Sequence, residues 1–246
     1  KQIARPRVDE LNAGFNFTVD TGTRLPSGSG GNAKLDPWRA KAVDLSWEKY
    51  FAKKGYVALA GYYKKLDTYI YKFSETRDFS QYTPGTIAIS NSGQYTTSYN
   101  GNGGSLKGAE LSVSVPLELV TPVLDGFGVL ASTSYTKSGI DIKEVNASIG
   151  KIELPGMSRH VTNVTLYYEK AGFSTRVSTR RRSDYVGEIG NFAGDRQLRY
   201  VVGDSPVDFQ IGYTFNDGMY KGLGVLLQVN NLTNEASEPY ANSKDR

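Results

Sequence analysis

The sequence predicts an all-β protein built from antiparallel strands. Glycine (27 residues) and tyrosine (17 residues) are abundant, and aromatic residues make up 12% of the 246 positions. Aromatic residues favour strands, whereas glycine favours turns. The mean hydropathy is −0.42, and no run of roughly 18 apolar residues, the length of a membrane-spanning helix, occurs. These observations predict a chain of strands and tight turns.

Alternation of apolar and polar residues marks the individual strands. In the first clear case Val43, Leu45 and Trp47 alternate with polar or charged neighbours, which places one apolar and one polar face on the same strand. The polar face of a later strand carries a row of arginines, and such a row requires water or acidic partners. Strands are predicted within residues 43–51, 109–117, 127–135, 164–169, 173–182, 207–215 and 223–229.

Connection lengths alternate along the chain. Consecutive antiparallel strands joined in an up-and-down order place every second connection at the same end of the sheet. Transmembrane β-barrels have this asymmetry, with short turns at one end and long loops at the other. Long connections are predicted near residues 5–37, 74–104, 138–158 and 185–198, short ones near 52–55, 171–172 and 216–222, and one of intermediate length near 118–126.

Aromatic residues concentrate beside the short connections. Tyr50, Phe51 and Tyr56 flank the first of them. Rings at one level of a barrel are typical of the membrane interface, although the preference of aromatic residues for strands gives the same pattern. Residues 42–51 also match the roughly 9–11 residues that a tilted strand needs to cross a bilayer. The prediction is an antiparallel up-and-down transmembrane β-barrel; a soluble sandwich with an apolar core remains the alternative.

Four segments in order resemble one protein family. They are GNAKLDP at 31–37 with the strand VDLSWEKYF at 43–51, KGAEL at 107–111, residues 154–170 beginning LPGMS, and VNNLTNE at 229–235. Together they resemble the β-barrel of TonB-dependent outer-membrane receptors over nearly the whole chain. The resemblance implies the C-terminal part of a barrel of about 22 strands. Residues 1–246 would then form a partial transmembrane barrel of about eight strands with long extracellular loops, without the plug domain or the closing strand.

The resemblance also implies a location, partners and an activity. The protein is expected in the outer membrane of a Gram-negative bacterium, where the receptor captures and imports a scarce solute. Expected partners are TonB with ExbB and ExbD, acting through an N-terminal part, the plug domain, and outer-membrane lipid and lipopolysaccharide. Arg181 alternates to the outward face, where a phosphate of the outer leaflet is its expected partner. No nucleic-acid partner is expected.

The substrate class is less closely defined. The segment LPGMS followed by His160 resembles receptors of proteobacteria that are associated with oligosaccharide uptake. A siderophore or iron-chelate receptor of the same family is the first alternative. A passive porin-like channel and a soluble carbohydrate-binding β-sandwich are the others.

No catalytic, metal or cofactor site is expected, because the chain has no cysteine and one histidine. Charged wall residues are expected mainly to pair with one another or with the plug, and the arginines nearest the loops are also candidates for ligand contact. Sugar or chelate binding needs planar rings and hydrogen-bonding side chains from the loops. Candidate substrate-binding residues are Trp38, Tyr82, Asn91, Tyr95, Tyr99, Arg180, Arg182, Tyr185 and Phe192; the expected lumen wall comprises Asp44, Glu48, Glu110, Asn163, Glu169, Arg176 and Asp208.

Overall fold

The computed structural model describes the backbone of residues 1–52, 54–141, 151–192, 195–236 and 239–241, and it describes side chains in these ranges outside 188–198 and 239–241. Strands dominate, and within these ranges no helix combines the length and apolar character needed to cross a bilayer. One short helix, α1 (Val8–Leu11), precedes most of the strands. The strands are β1 (Gln2–Ala4), β2 (Phe15–Val19), β3 (Pro26–Gly30), β4 (Trp38–Phe51), β5 (Gly55–Leu66), β6 (Tyr69–Asp78), β7 (Ser92–Gly101), β8 (Gly104–Pro116), β9 (Phe127–Ile140), β10 (His160–Lys170), β11 (Phe173–Arg182), β12 (Tyr185–Phe192), β13 (Asp195–Val201), β14 (Val207–Thr214), β15 (Gly224–Val229) and β16 (Pro239–Ala241).

The main sheet contains nine strands in the order β1-β4-β5-β8-β9-β10-β11-β14-β15. Every neighbouring pair in it is antiparallel. The antiparallel order therefore puts every long connection at one end, here called the loop end, and every short turn at the other, here called the turn end. Ala171 and Gly172 form the tightest of these turns, and both have positive φ. In the described residues β1 and β15 are open edges, so this part of the barrel does not close on itself.

The two faces of the main sheet differ in chemistry. Register pairs Val177 with Leu166 on one side and with Phe209 on the other, so apolar side chains form rows across the strands. These side chains are not buried, since Leu45 is 78% exposed and Leu166 is 57% exposed. Within the described chain no second sheet packs on this face. The soluble sandwich is therefore wrong, because a sandwich buries the apolar face of each sheet.

Two smaller sheets arise from the long connections. The four-stranded sheet β2-β3-β7-β6 combines two connections, and β3 pairs with β7 in parallel. The three-stranded sheet β12-β13-β16 uses residues from the predicted connection 185–198. The connection expected to begin at residue 74 begins after Leu66, because β6 pairs with β7 rather than with the main sheet. Residues 142–150 of the connection 138–158 lie outside the described residues.

The buried core lies at the loop end, where the last residue of β9 meets the long connections, rather than along the length of the main sheet. Tyr69, Tyr71, Ile140 and Ile152 form one buried cluster. Ile140 and Ile152 also exchange two backbone hydrogen bonds, of 2.8 and 3.1 Å. The four-stranded sheet, the segments 31–37 and 151–159, and Ile140 at the loop end of β9 are here called the outer layer. Hydrophobic burial holds the outer layer together, whereas the backbone ladder holds the main sheet.

Candidate ligand-facing end and polar wall

The polar face of the main sheet carries the expected wall residues. Asp44 and Glu110 line one concavity of about 410 Å³ together with Tyr62. Asn163 lies opposite Arg180 and donates a hydrogen bond from Nδ2 to Ser132 Oγ over 3.2 Å. The remaining wall residues, Glu48, Glu169, Arg176 and Asp208, share this face through the same register. The face is a continuous polar surface with both signs of charge.

Charges on the wall pair with each other near the turn end. Glu169 Oε1 lies 3.6 Å from Arg176 Nη2, and Glu169 Oε2 lies 4.0 Å from Lys54 Nζ. The hairpin at residues 171–172 brings Glu169 and Arg176 onto neighbouring strands. All three side chains are between 43% and 65% exposed, so each pair contributes little stability by itself. Glu48 is satisfied differently, by a hydrogen bond from Tyr50 Oη of 2.7 Å.

An arginine pair at the loop end converges on one carboxylate. Arg182 donates from Nε and Nη2 to the two oxygens of Asp204, at 2.9 and 3.0 Å. Arg180 Nη2 reaches Asp204 Oδ2 at 3.8 Å, and its side chain stays 53% exposed. The guanidinium of Arg182 also stacks on the Tyr185 ring at 4.7 Å. Arg180 is thus the more available cation of the two. Sequence reasoning missed Asp204, which no local pattern links to β11.

Arg180 also borders an open concavity on the polar side. Asp208 and Asn231 complete part of its rim, and its volume is about 440 Å³. The backbone N–H of Asn231 donates to Asp208 Oδ1 over 2.8 Å, which fixes that carboxylate. A cation, a carboxylate and amide groups therefore meet in one solvent-accessible recess. Such a set recognises a polar solute through directed hydrogen bonds.

Aromatic candidates gather in the outer layer. Phe15 contacts Tyr82 with 4.7 Å between ring centroids and lies 6.0 Å from the Tyr95 ring. Arg77 stacks on the Tyr95 ring, with its Cζ 3.7 Å from the ring centroid. Tyr95 is only 7% exposed, whereas Tyr82 is 47% exposed. Tyr82 therefore offers a ring to solvent and Tyr95 supports the layer. Phe15 and Arg77 were not among the sequence candidates.

Three further candidates have structural partners. Trp38 is half-buried against Tyr69, with ring centroids 4.9 Å apart. Tyr99 packs edge-on against Phe73, and burial followed by a hydrogen bond to Glu75 raises the pKa of the Tyr99 phenol. Asn91 is exposed and accepts a hydrogen bond from Thr83 Oγ1. The side chain of Phe192 lies outside the described residues.

Arg181 lies on the opposite, outward face. It is exposed and pairs in register with Thr162. Both residues line a broad concavity of about 1020 Å³ that also includes His160. His160 packs against Tyr135 with ring centroids 4.8 Å apart. This surface is separate from the recess beside Arg180, although the two arginines are adjacent in sequence.

Comparison with known proteins decides the family. The model of the TonB dependent receptor-like β-barrel family matches residues 1–232. The chain belongs to this family. Two crystal structures of mutant ferric enterobactin receptor PfeA from Pseudomonas aeruginosa share the fold, each with a TM-score of 0.63 over 94% of this chain, at 16% and 15% identity. No curated protein matches the chain.

The family membership explains the open sheet. The chain spans 31% of the length of each PfeA structure, so the nine strands of the main sheet correspond to part of a larger barrel. TonB-dependent receptor barrels belong to the outer membrane of Gram-negative bacteria, and the family consists of receptors and transporters rather than enzymes. At this level of identity the PfeA structures establish the fold and leave the solute of this chain open.

Proposed function

We propose that this chain forms part of the wall of an outer-membrane receptor that captures a scarce solute at its loop end and imports it. The energy comes from TonB with ExbB and ExbD, which act on a plug domain inside the complete barrel. One observation carries the proposal: this member of the family has an apolar face that no other described part of the chain covers and a polar face lined by charges. Lipid on one side and a plugged lumen on the other account for both faces.

The loop end supports capture of an anionic, iron-chelating solute. The Arg180 guanidinium is half exposed beside an open recess, and Tyr82 offers an exposed ring. Cations and aromatic rings bind negatively charged, planar ligands through charge-assisted hydrogen bonds and stacking. The structural neighbours are receptors for ferric enterobactin. A siderophore is therefore the proposed substrate class.

An oligosaccharide is the second candidate. The segment LPGMS and His160 resemble receptors associated with oligosaccharide uptake. The rings and amides at the loop end, including Tyr82 and Asn91, also suit sugar hydroxyl groups and sugar faces. Sugar binding would rest on these rings and amides, whereas chelate binding would rest on the arginine charge.

Titration of the full-length receptor distinguishes these classes. The probes are a ferric catecholate chelate and a neutral oligosaccharide, with affinity measured by calorimetry. Arg180→Gln should weaken chelate binding about tenfold, because one charge-assisted contact is lost. Arg181→Gln is the matched control, since it removes the same charge from the outward face and should leave affinity unchanged. If the receptor bound the oligosaccharide tightly, with the same affinity in the wild type and in the Arg180→Gln variant, the oligosaccharide would be the favoured substrate.

Uptake in cells tests the energy coupling. Labelled chelate should enter cells that carry the receptor and TonB, and entry should stop when TonB is deleted or the proton gradient collapses. A passive porin-like channel would continue to admit the solute under both conditions. Unchanged uptake without TonB would therefore refute active import while leaving the barrel fold intact.

A further inference from the structure

Four lysines crowd together on the apolar side of the main sheet, near the loop end. They are Lys41 on β4, Lys65 on β5, Lys107 on β8 and Lys137 on β9, and all four are exposed. They are here called the lysine cluster. Their strands are consecutive neighbours in the main sheet. The cluster is therefore a continuous surface across four strands.

Register sets these charges against each other. Lys41 lies directly opposite Lys65, and Lys107 lies directly opposite Lys137. Lys65 pairs with Ser105, which makes Lys107 its diagonal neighbour. Neighbouring strands are about 4.8 Å apart, and like charges directly opposite on one face destabilise a sheet. Two opposed lysine pairs side by side therefore favour the binding of an external anion that offsets their repulsion.

The protein supplies no such anion among its described residues. The ion pairs found there involve other side chains, and no lysine of the cluster takes part in any of them. The polar wall behaves differently, because Glu169 lies between Arg176 and Lys54. Among the described residues, Glu169 on the polar wall thus has cationic partners, whereas the outward lysines of the cluster have no anionic partner.

The position of the cluster indicates which anion it takes. Lys41 is followed on the same face by Val43 and Leu45, which are 72% and 78% exposed. Tyr63 lies on this face between Val43 and Lys107 in register. The lysine cluster therefore lies at the edge of the exposed apolar band that faces the loop end. The groups of a membrane lipid match this arrangement, because its acyl chains would contact the apolar band and its phosphate would lie beside the lysines.

We propose that the lysine cluster binds the phosphate groups of a phosphorylated glycolipid of the outer leaflet, whose acyl chains lie along Val43 and Leu45. The proposal rests on the proposed membrane location of the chain. Ammonium groups bind phosphate through charge-assisted hydrogen bonds, and two opposed lysine pairs present a surface for more than one phosphate. A soluble anion explains the charges but gives no role to the adjoining apolar band.

Lipid binding to the purified full-length receptor tests the proposal. The variant Lys65→Gln with Lys107→Gln removes one charge from each opposed pair. The matched control is Lys49→Gln with Lys64→Gln: Lys49 lies on the same face at the turn end, and Lys64 lies on the polar face over Tyr62. The probes are lipid A with both phosphates, dephosphorylated lipid A, and inorganic pyrophosphate in solution.

The wild-type receptor should bind phosphorylated lipid A more tightly than the dephosphorylated form. The cluster variant should lose at least about tenfold in affinity for the phosphorylated lipid, and the control variant should keep it. Phosphorylated lipid A should also raise the thermal midpoint of the wild type more than that of the cluster variant. Equal binding of both lipid forms, equal losses in both variants, or displacement of the lipid by equimolar pyrophosphate would overturn the proposal.

Cell fractionation separates this proposal from the proposed function. The wild type and both variants should appear in the outer-membrane fraction. Failure of the wild type to appear there would overturn the membrane location and the lysine proposal with it. Correct location combined with unchanged lipid binding of the cluster variant would overturn the lysine proposal alone.

Discussion

The main sheet and the outer layer differ in where their apolar side chains lie. The main sheet leaves Leu45 and Leu166 largely exposed on one face, whereas the outer layer buries Tyr69, Ile140 and Ile152 together. The outer layer is organised like a small water-soluble domain with its own core. The main sheet has no comparable core among the described residues. The difference is the one that the proposed setting predicts, in which acyl chains cover the apolar face of the main sheet and water surrounds the outer layer.

The two regions also differ in the bonds that join their parts. Neighbouring strands of the main sheet are held by continuous antiparallel ladders, such as the one between β4 and β5. In the outer layer, side chains connect segments that are distant in sequence. Asn32 Nδ2 donates to the Ser98 carbonyl over 3.0 Å, and Asn100 both accepts from and donates to the backbone of Asp36. Two connections are thereby combined into one unit.

The largest expected effect concerns the core of the outer layer. Ile140→Ala should lower the free energy of opening this layer by about 2–5 kcal/mol, because a fully buried aliphatic side chain leaves a cavity. Hydrogen exchange of the β6 and β7 amides in the full-length receptor measures the change. Val43→Ala, at an exposed position of the main sheet, should leave that exchange unchanged. Equal effects of the two substitutions would remove the distinction between the regions.

A charge on the apolar face tests the other region. Val177→Arg should destabilise the barrel in lipid vesicles by about 2–4 kcal/mol, since Val177 lies within the apolar rows that would face the bilayer in the proposed barrel. Unfolding by denaturant measures the loss. Ser178→Arg is the control on the same strand, because its side chain lies on the polar wall and the arginine stays hydrated. A larger loss from Ser178→Arg would mean that the two faces are assigned the wrong way round.

The next effect concerns the junction between the main sheet and its loops. Asp204→Asn should cost about 1.5–3 kcal/mol of local stability, because the carboxylate holds Arg182 through two charge-assisted hydrogen bonds. The Asp204 side chain is only 11% exposed. Glu75→Gln removes an exposed partner of Arg77 and should cost at most about 1 kcal/mol. Hydrogen exchange in β11 and β6 reports the two losses, and the reverse ranking would refute the role of Asp204.

The smallest effect lies at the turn end. Hydrogen bonding and charge from Lys170 hold the pKa of Asp125 below its ordinary value. The stabilisation is therefore complete above the ordinary carboxyl pKa of about 3.9 and is lost as the pH falls through the lower folded value. The free energy of unfolding should fall at low pH partly because Asp125 becomes protonated, and Lys170→Gln should remove that part of the fall. If denaturant unfolding showed the same decrease in stability at acid pH in the variant and the wild type, the Asp125–Lys170 pair would not contribute to stability.

The sequence predicts the main sheet well for a physical reason. A strand between lipid and a polar lumen must alternate, so residues 43–51, 173–182 and 207–215 carry a period of two. The strand β3 of the outer layer carries no such period. β3 is PSGSG, and only its pairing with β2 and β7 makes it a strand. Tertiary pairing of this kind cannot be deduced from local pattern.

The candidate site is partly predictable in the same way. Alternation puts Arg180 and Arg182 on one face, and the structure brings them to the same carboxylate. The carboxylate itself, Asp204, follows a long connection and carries no local signal. Exposure of aromatic residues is similarly hidden, because Tyr82 and Tyr95 look alike in sequence and only the packing of the outer layer distinguishes them.

The most direct test determines what surrounds the apolar face. The chain contains no cysteine, so Leu45→Cys and Ser46→Cys each add one labelling site to this part of the barrel. Spin labels on the receptor in vesicles report access to oxygen, which concentrates in lipid, and to a nickel chelate, which stays in water. The account predicts high oxygen and low nickel access at position 45, with lower oxygen access at position 46. High nickel access at position 45, or no contact with either reagent there, would contradict it.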